Sequence, residues 1–563
     1  MFGIKTTFMR YITILIGLIL LNKITTGQTY EVKTGEEIKA LKDASIINVI
    51  YSDKTGLYAV AKYTETKGFL LGAHYEDKYK LLKFDLNLNL LYEKEYDKVL
   101  NGLVVRSIQC LNNQLYLFTH KQLKKENKYI VYGSKLNVMD GSIIGTPAEL
   151  CAFSFISDLY NEDNYLVKPS FDSTQWLIAG DEKLSGGRSL SLRTFDADLR
   201  SIIKTTINIP STAEYFYLKD VIPLPNKKVF LFGNEFSFDA KKEKITTDRF
   251  FAKIYNESGS QEFDIPIPTP RILDFYVFPK KDGQIYLVTL NTNIGEERKI
   301  DSLFICKIDP LTGKSEIRAI QIKSEELINA ASPNPELKKK NAVLDHGKTY
   351  GDFGDYSNVE IRKIFLNETN ESLIIVGEKT NLLSYSVLTP KNGSDMIRGL
   401  FNLTQEARYE IGNLFVITVP LNGKTEMRVD VIPKHQVEIA GGGLSLKANN
   451  YLTVPGGSPF YSSFNSYMMK DKIVFLFNDQ KSSNASATKF KDIKVIRDKD
   501  NSTSYAISLN LLTGAQDKKE LIWSSNNVIP MLRSSFNSNQ KIYIPIEVLN
   551  KKSEIELGVV TIK

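Results

Sequence analysis

The sequence predicts an all-β chain in which eight short sheets repeat around a closed ring. Three observations predict it: a recurring apolar strand, a recurring polar turn that follows at a fixed place, and unmatched strands at the two ends.

The recurring strand comes first. A four-residue run rich in aromatic and β-branched side chains is met eight times, at Leu57–Val60, Leu115–Phe118, Trp176–Ala179, Val229–Phe232, Ile285–Val288, Leu373–Val376, Ile473–Leu476 and Ile542–Pro545. A polar turn precedes each. Runs of this length without polar alternation fit strands buried on both faces.

After most of these runs a second strand ends in a turn and a third begins. The turns are Phe84–Asn87, Val138–Gly141, Phe195–Asp198, Tyr255–Gly259, Ile308–Gly313, Pro420–Gly423 and Leu509–Gly514. Asp or Asn opens such a turn by bonding its own backbone, and Gly closes it where φ must be positive.

The ends supply the third observation. The eighth unit stops at Val559-Val560-Thr561-Ile562 without a further strand, whereas Thr29-Tyr30-Glu31-Val32-Lys33 precedes the first unit. Pairing the two completes the last sheet and removes its edge. The fold class is therefore a β-propeller of eight four-stranded blades, with seven as the alternative because the units are uneven in length.

The turns Ile308-Asp309-Pro310-Leu311-Thr312-Gly313-Lys314 and Leu509-Asn510-Leu511-Leu512-Thr513-Gly514 resemble the hairpin of quinoprotein-type propeller repeats, a family that includes quinone-dependent dehydrogenases and cofactor-free envelope scaffolds. The resemblance is confined to the hairpin. The tryptophans that dock blades in that family do not recur here, since only Trp176 and Trp523 exist, so no quinone is implied and the cofactor is unknown.

Before the first unit, Lys5 and Arg10 lead into the apolar run Tyr11–Leu21, and small polar residues follow to Gly27. That order predicts a signal peptide over residues 1–27, cut near Gly27-Gln28, and a single propeller domain over 28–563 that is periplasmic or secreted. A spanning helix needs about 20 apolar residues, and Asn22 and Lys23 end this run early. No transmembrane segment is expected after cleavage.

Removing residues 1–27 takes away Lys5, Arg10 and Lys23 and lowers the net charge from +7 to +4. A slight excess without clustering argues against nucleic acid as a partner. Three cysteines, Cys110, Cys151 and Cys306, form no disulfide framework, and four scattered histidines lack zinc-ligand spacing, so no metal is expected.

Three stretches exceed the repeat: 323–358, where Ser324 opens a helical start that Pro333 and Pro335 end, 378–413, and 436–467. Insertions in repeat proteins gather on one face, often the binding face. The first holds the best candidate ligand-binding set, Asp345, His346, Tyr350, Asp352, Asp355 and Tyr356, which combines carboxylates, an imidazole and aromatic rings on a Gly-rich backbone. Its spacing is not that of a calcium loop. Gly441–Gly443 and Pro455–Tyr467 have the composition of binding loops, but inter-blade crossings have it too.

For acid–base chemistry, Asp181, Glu182, Glu235 and Glu378 follow core strands closely enough to reach the channel mouth or to sit hydrated on its rim. No GxSxG elbow or phosphate-binding glycine loop occurs, so no catalytic residue is assigned. The expectation is a binding or scaffold module with a protein or glycan partner. The alternative is an enzyme acting on glycans through carboxylates at the channel mouth. Oligomeric state is not legible.

Overall fold

The computed structural model describes residues 30–36, 38, 44–67, 74–96, 102–154, 165–170, 172–184, 187–209, 215–224, 227–239, 244–267, 272–280, 282–291, 300, 302–322, 359–387, 404–422, 427–432, 434, 436–440, 464–480, 502–517, 520–523, 528–548 and 555–563. They form eight antiparallel sheets.

Blade 1 is Ala44–Asp53, Gly56–Lys67, His74–Phe84 and Leu90–Glu95, and blade 2 is Val104–Leu111, Gln114–Leu123, Lys128–Leu136 and Ile143–Ser154. Blade 3 comprises Tyr165–Pro169, Trp176–Leu184, Gly187–Phe195 and Ser201–Ile209, and blade 4 comprises Tyr215–Leu224, Lys228–Asp239, Lys244–Tyr255 and Gln261–Ile265. Ile272–Pro279, Ile285–Asn291, Ser302–Ile308 and Ser315–Gln321 make blade 5, and Val359–Asn367, Ser372–Val387, Thr404–Pro420 and Arg428–Ile432 make blade 6. Blade 7 is Phe464–Met468, Lys472–Gln480, Ser502–Asn510 and Glu520–Trp523.

Blade 8 closes the ring. Its first strand is split into Val528–Pro530 and Phe536–Ser538, both paired with Lys541–Val548; Ile555–Ile562 follows, and Tyr30–Thr34 adds the outermost strand with Tyr30 opposite Ile562. Tyr30–Thr34 and Ile555–Ile562 thus share one sheet, as the unmatched end strands predict, and the seven-bladed alternative is excluded.

The recurring apolar run is the second strand of every blade. Its alternate side chains pack against the blades on either side: Leu115 and Leu117 face blade 1, while Tyr116 and Phe118 face blade 3. Apolar clusters of this kind join each blade to the next, and one of them sets Val49 and Leu57 of blade 1 against Ile529 and Leu557 of blade 8. Trp176 is fully buried between blades 2 and 3, its ring edge-on to Tyr116 and Phe118 at 5.0 and 4.8 Å.

At one end of the ring lie the turns between first and second and between third and fourth strands. There each third-to-fourth turn docks on the blade before it. The hydroxyl of Tyr58 and the ammonium of Lys83 donate to the Val138 carbonyl, at 3.1 and 3.0 Å, and the Tyr116 hydroxyl donates to that of Ala197 at 2.6 Å. Arg428 reaches the carbonyls of Leu511 and Leu512, both at 2.9 Å, and Arg318 that of Pro420. The turn glycines carry φ of +69° at Gly313 and +75° at Gly514, and a Cβ there would meet Phe263 of blade 4 and Asp430 of blade 6. The expected Asp/Asn-to-Gly turn is thus both a backbone requirement and a close-approach point between blades. The three cysteines are free, Cys151 and Cys306 buried and Cys110 partly so. No described helix is long and apolar enough to cross a membrane.

Candidate functional site at the opposite end of blades 5 to 7

At the other end of the ring lie the second-to-third strand connections and the links between blades. All three excess stretches leave the sheets there: 323–358 links blades 5 and 6, 378–413 falls inside blade 6, and 436–467 links blades 6 and 7. The second is largely strand. Ser372–Val387 and Thr404–Pro420 remain paired as far as Val387 opposite Thr404, and Gln436–Ala440 pairs along Ala407–Ile411. Blade 6 therefore carries a three-stranded extension that continues past Glu378. The loop set Asp345, His346, Tyr350, Asp352, Asp355 and Tyr356 lies outside the described residues, as do Ser324, Gly441–Gly443 and residues 455–463 of Pro455–Tyr467, whose remainder is not loop but the first strand of blade 7.

The base of this extension is a buried ionic network. Glu378 is fully buried on the second strand, beside Glu360 on the first. The guanidinium of Arg362 bridges the two carboxylates, at 2.6 Å to Glu360 and 3.3 Å to Glu378. The other Glu378 oxygen accepts from the ammonium of Lys434 at 2.6 Å, and Lys434 also donates to the Gln436 side chain at 3.2 Å. Gln436 in turn donates to the Asn478 carbonyl of blade 7 at 2.6 Å. The Lys434 backbone N–H is held by Asn413 at 3.0 Å, and its ammonium lies 5.6 Å from the centre of the Phe464 ring. Burial lowers the Lys434 pKa, and the Glu378 carboxylate opposes that shift.

Arg362 reaches this place because the first strand of blade 6 bulges. Ile361 pairs with Gly377 and Lys363 with Val376, leaving Arg362 as the extra residue. The first strands of blades 1, 2, 4 and 5 bulge similarly, at residues 47 and 50, 106, 219 and 273. An added residue kinks the strand and re-aims the side chains around it. Polar contacts then lace innermost strand to innermost strand: Gln109 donates to the Val167 carbonyl at 3.1 Å, Lys168 pairs with Asp220, and Lys363 donates to the Ser466 carbonyl at 3.2 Å. Burial pulls the Lys363 ammonium down to about 8.

Asp274 of blade 5 follows its bulge and accepts the backbone N–H of Ile361 in blade 6. Burial, with Glu360 contributing, pushes its carboxyl up to about 7. Burial likewise raises Glu360.

Across the ring, at the same end, blades 2 and 3 hold a different set. The imidazole Nδ1 of His120 lies 2.8 Å from the Tyr165 hydroxyl, Tyr129 stacks edge-on to it, and the Arg106 guanidinium lies 5.6 Å from the Tyr165 ring centre. Tyr129, Tyr165 and Phe153 are buried, so their ring faces are used in packing.

Of the four carboxylates expected near the mouth, Asp181, Glu182 and Glu235 fall within second strands and their side chains are outside the described residues. Glu378 is neither hydrated nor open: it is an internal anchor of the extension. The sequence reading missed Asp274, Glu360, Arg362, Lys434 and Gln436. The available signal was a break in alternation inside otherwise apolar first strands, as in Val359-Glu360-Ile361-Arg362-Lys363-Ile364. Among the described residues no group of three or more His, Cys, Asp or Glu side chains is placed to hold a metal ion.

No protein-family model matches the sequence, and no curated protein matches it. Solved structures do superpose on it. The β-propeller domain of the Trilobed protease from Pyrococcus furiosus is 9% identical over 85% of this chain and 96% of that one, with a TM-score of 0.34. Prolyl oligopeptidase B from Galerina marginata is 5% identical over 90% of this chain and 56% of that one, at 0.37. An α-L-arabinofuranosidase from Fusarium graminearum is 8% identical over 61% of this chain and 92% of that one, at 0.28. What the strand order defines is a repeat-built, eight-bladed β-propeller without an assignable family. No activity carries over at such identities.

Proposed function

We propose that this chain is an exported binding module whose recognition surface is the sheet extension of blade 6 with the two flanking insertions. The observation that carries this reading is positional: the three longest departures from the repeat leave one end of the ring around one blade, and a buried ionic network fixes their common root. The carboxylates there are spent on Arg362 and Lys434 rather than held open for a reacting group, which favours a scaffold over a catalyst. A protein or a glycan is the partner that such a surface would take.

The test replaces residues 382–409 by an Asn-Gly turn, which rejoins the cross-strand pair Asn381 and Glu410. Screened against arrays of polysaccharides and secreted polypeptides, the parent chain is expected to retain a partner that the shortened chain loses while still unfolding cooperatively, although Ala440, Ile439 and Glu438 give up their partners. Retention of the same partner by the shortened chain would sink the reading. Export is tested by sequencing the protein recovered outside the cytoplasm, with Gln28 expected as its first residue.

A glycan-cleaving alternative rests on Asp274 of the innermost strand of blade 5, whose carboxyl accepts the Ile361 N–H and is pushed by burial up to about 7, a value suited to a general acid. Under that alternative Asp274→Asn abolishes hydrolysis of any polysaccharide the parent cleaves; a parent that cleaves none in the array removes it.

A further inference from the structure

We propose that the end of the ring carrying the third-to-fourth strand turns of blades 7, 1 and 2 rests on a lipid bilayer, so that the blade 6 extension points away from the membrane. Exposed apolar side chains sit at the tips of these turns: Leu512 in blade 7 is 61% exposed, Leu86 in blade 1 is 53% and Met139 in blade 2 is 69%. Leu91 on the outer strand of blade 1 is 54% exposed, and its neighbour Tyr92 touches the Val138 carbonyl beside Met139, so the apolar groups of blades 1 and 2 adjoin. Scattered apolar residues would need no explanation. These gather around one point.

That point is where the chain before Tyr30 joins the ring. Tyr30 lies opposite Ile562, whose N–H bonds the Gln540 carbonyl in a turn of blade 8, so the strand begins at the turn-bearing end. Tyr30 and Val32 pack into the apolar cluster shared with blade 7, and the Lys33 ammonium bonds Asn87 beside Leu86 of blade 1 at 2.9 Å. The joining point is therefore flanked by the turns that bear Leu512 and Leu86.

The apolar run Tyr11–Leu21 ends only a few residues before Tyr30. At about 3.5 Å per extended residue, that connection reaches roughly 30 Å at most. In the uncleaved chain, a run held at a bilayer would keep this end of the ring, where Tyr30 enters, nearest to it. Lys33 acts on Asp85 and Lys94 on Asp140, so positive charge at this end is offset by carboxylates and the contact is apolar rather than a basic attraction to anionic lipid.

The test uses the chain from Gln28, which keeps every described residue and lacks the apolar run. Sedimentation with phosphatidylcholine vesicles, with and without phosphatidylglycerol, is expected to show the same partition for both compositions. Leu86→Ser/Met139→Ser/Leu512→Ser should lower it about tenfold or more, since every methylene withdrawn from lipid counts. Leu311→Ser, at the equally exposed tip of blade 5 away from blade 8, should leave it unchanged.

A parent chain that stays in solution with both vesicle types overturns the proposal, as does equal loss from Leu311→Ser or a concentration-dependent dimer that the triple variant alone dissolves. The inference is independent of the binding role of blade 6: shortening residues 382–409 is expected to remove partner binding and leave vesicle sedimentation intact.

Discussion

The two ends of the ring are built by different rules. At the turn-bearing end, blade after blade repeats one device: a short turn opened by Asp or Asn, a backbone carbonyl that accepts from the preceding blade, and often a glycine at the point of closest approach. At the opposite end the repeat breaks down around blade 6, and what holds the structure is a chain of charges whose members come from distant parts of the sequence. A repeated contact stabilises any blade equally and marks none of them. A single buried network costs desolvation, and removing one member leaves an uncompensated buried charge.

Breaking that network should give the largest effect. Lys434→Met leaves Glu378 buried without its 2.6 Å partner and is expected to cost about 3–5 kcal/mol in denaturant unfolding, most of it recovered in the Glu378→Met/Lys434→Met double variant. An additive double variant would mean that the pair is not coupled. At the other end, Gly313→Ala forces a Cβ into the Phe263 ring at positive φ and should cost about 3 kcal/mol. Gly102→Ala, with φ of +77° but open space around it, should cost about 1 kcal/mol, which separates backbone strain from collision.

The two ends should also differ in pH response. A carboxyl whose folded pKa is raised stabilises the fold while it is neutral, so the Asp274 contribution is complete below about 4 and is lost as the pH rises through about 7. Asp274→Asn should flatten that decline and raise stability at pH 8 by of order 2 kcal/mol, measured by melts across the range. The turn carboxylates Asp85 and Asp309 are lowered by hydrogen bonds to their turns and act with the opposite sign, losing their contribution as the pH falls below 4. As small as the Gly102→Ala effect, Arg428→Met should cost about 1 kcal/mol, because its contacts to the blade 7 turn are partly exposed.

The repeated parts were legible because periodicity is itself the signal. Core strands such as Leu115–Phe118 and turns such as Asp309–Gly313 recur in fixed order, and the unpaired end strands closed as expected. The site was much less legible. Glu378 reads as a mouth or rim carboxylate until Lys434, 56 residues later, is brought to it. The stretch 378–413 reads as an insertion loop because its excess length hides the fact that two existing strands simply continue. Charged residues at bulges, such as Arg362, look like noise in an apolar strand, since a one-residue slip in register is visible only once the partner strand is known.

The most direct test of this division of labour is hydrogen exchange on the chain from Gln28, with and without the partner it retains from the arrays. Slowed exchange confined to 380–387, 404–411 and 436–440 is the predicted result. Slowed exchange at the turns near Asp85, Asp309 and Asn510, with the blade 6 extension unaffected, would contradict it.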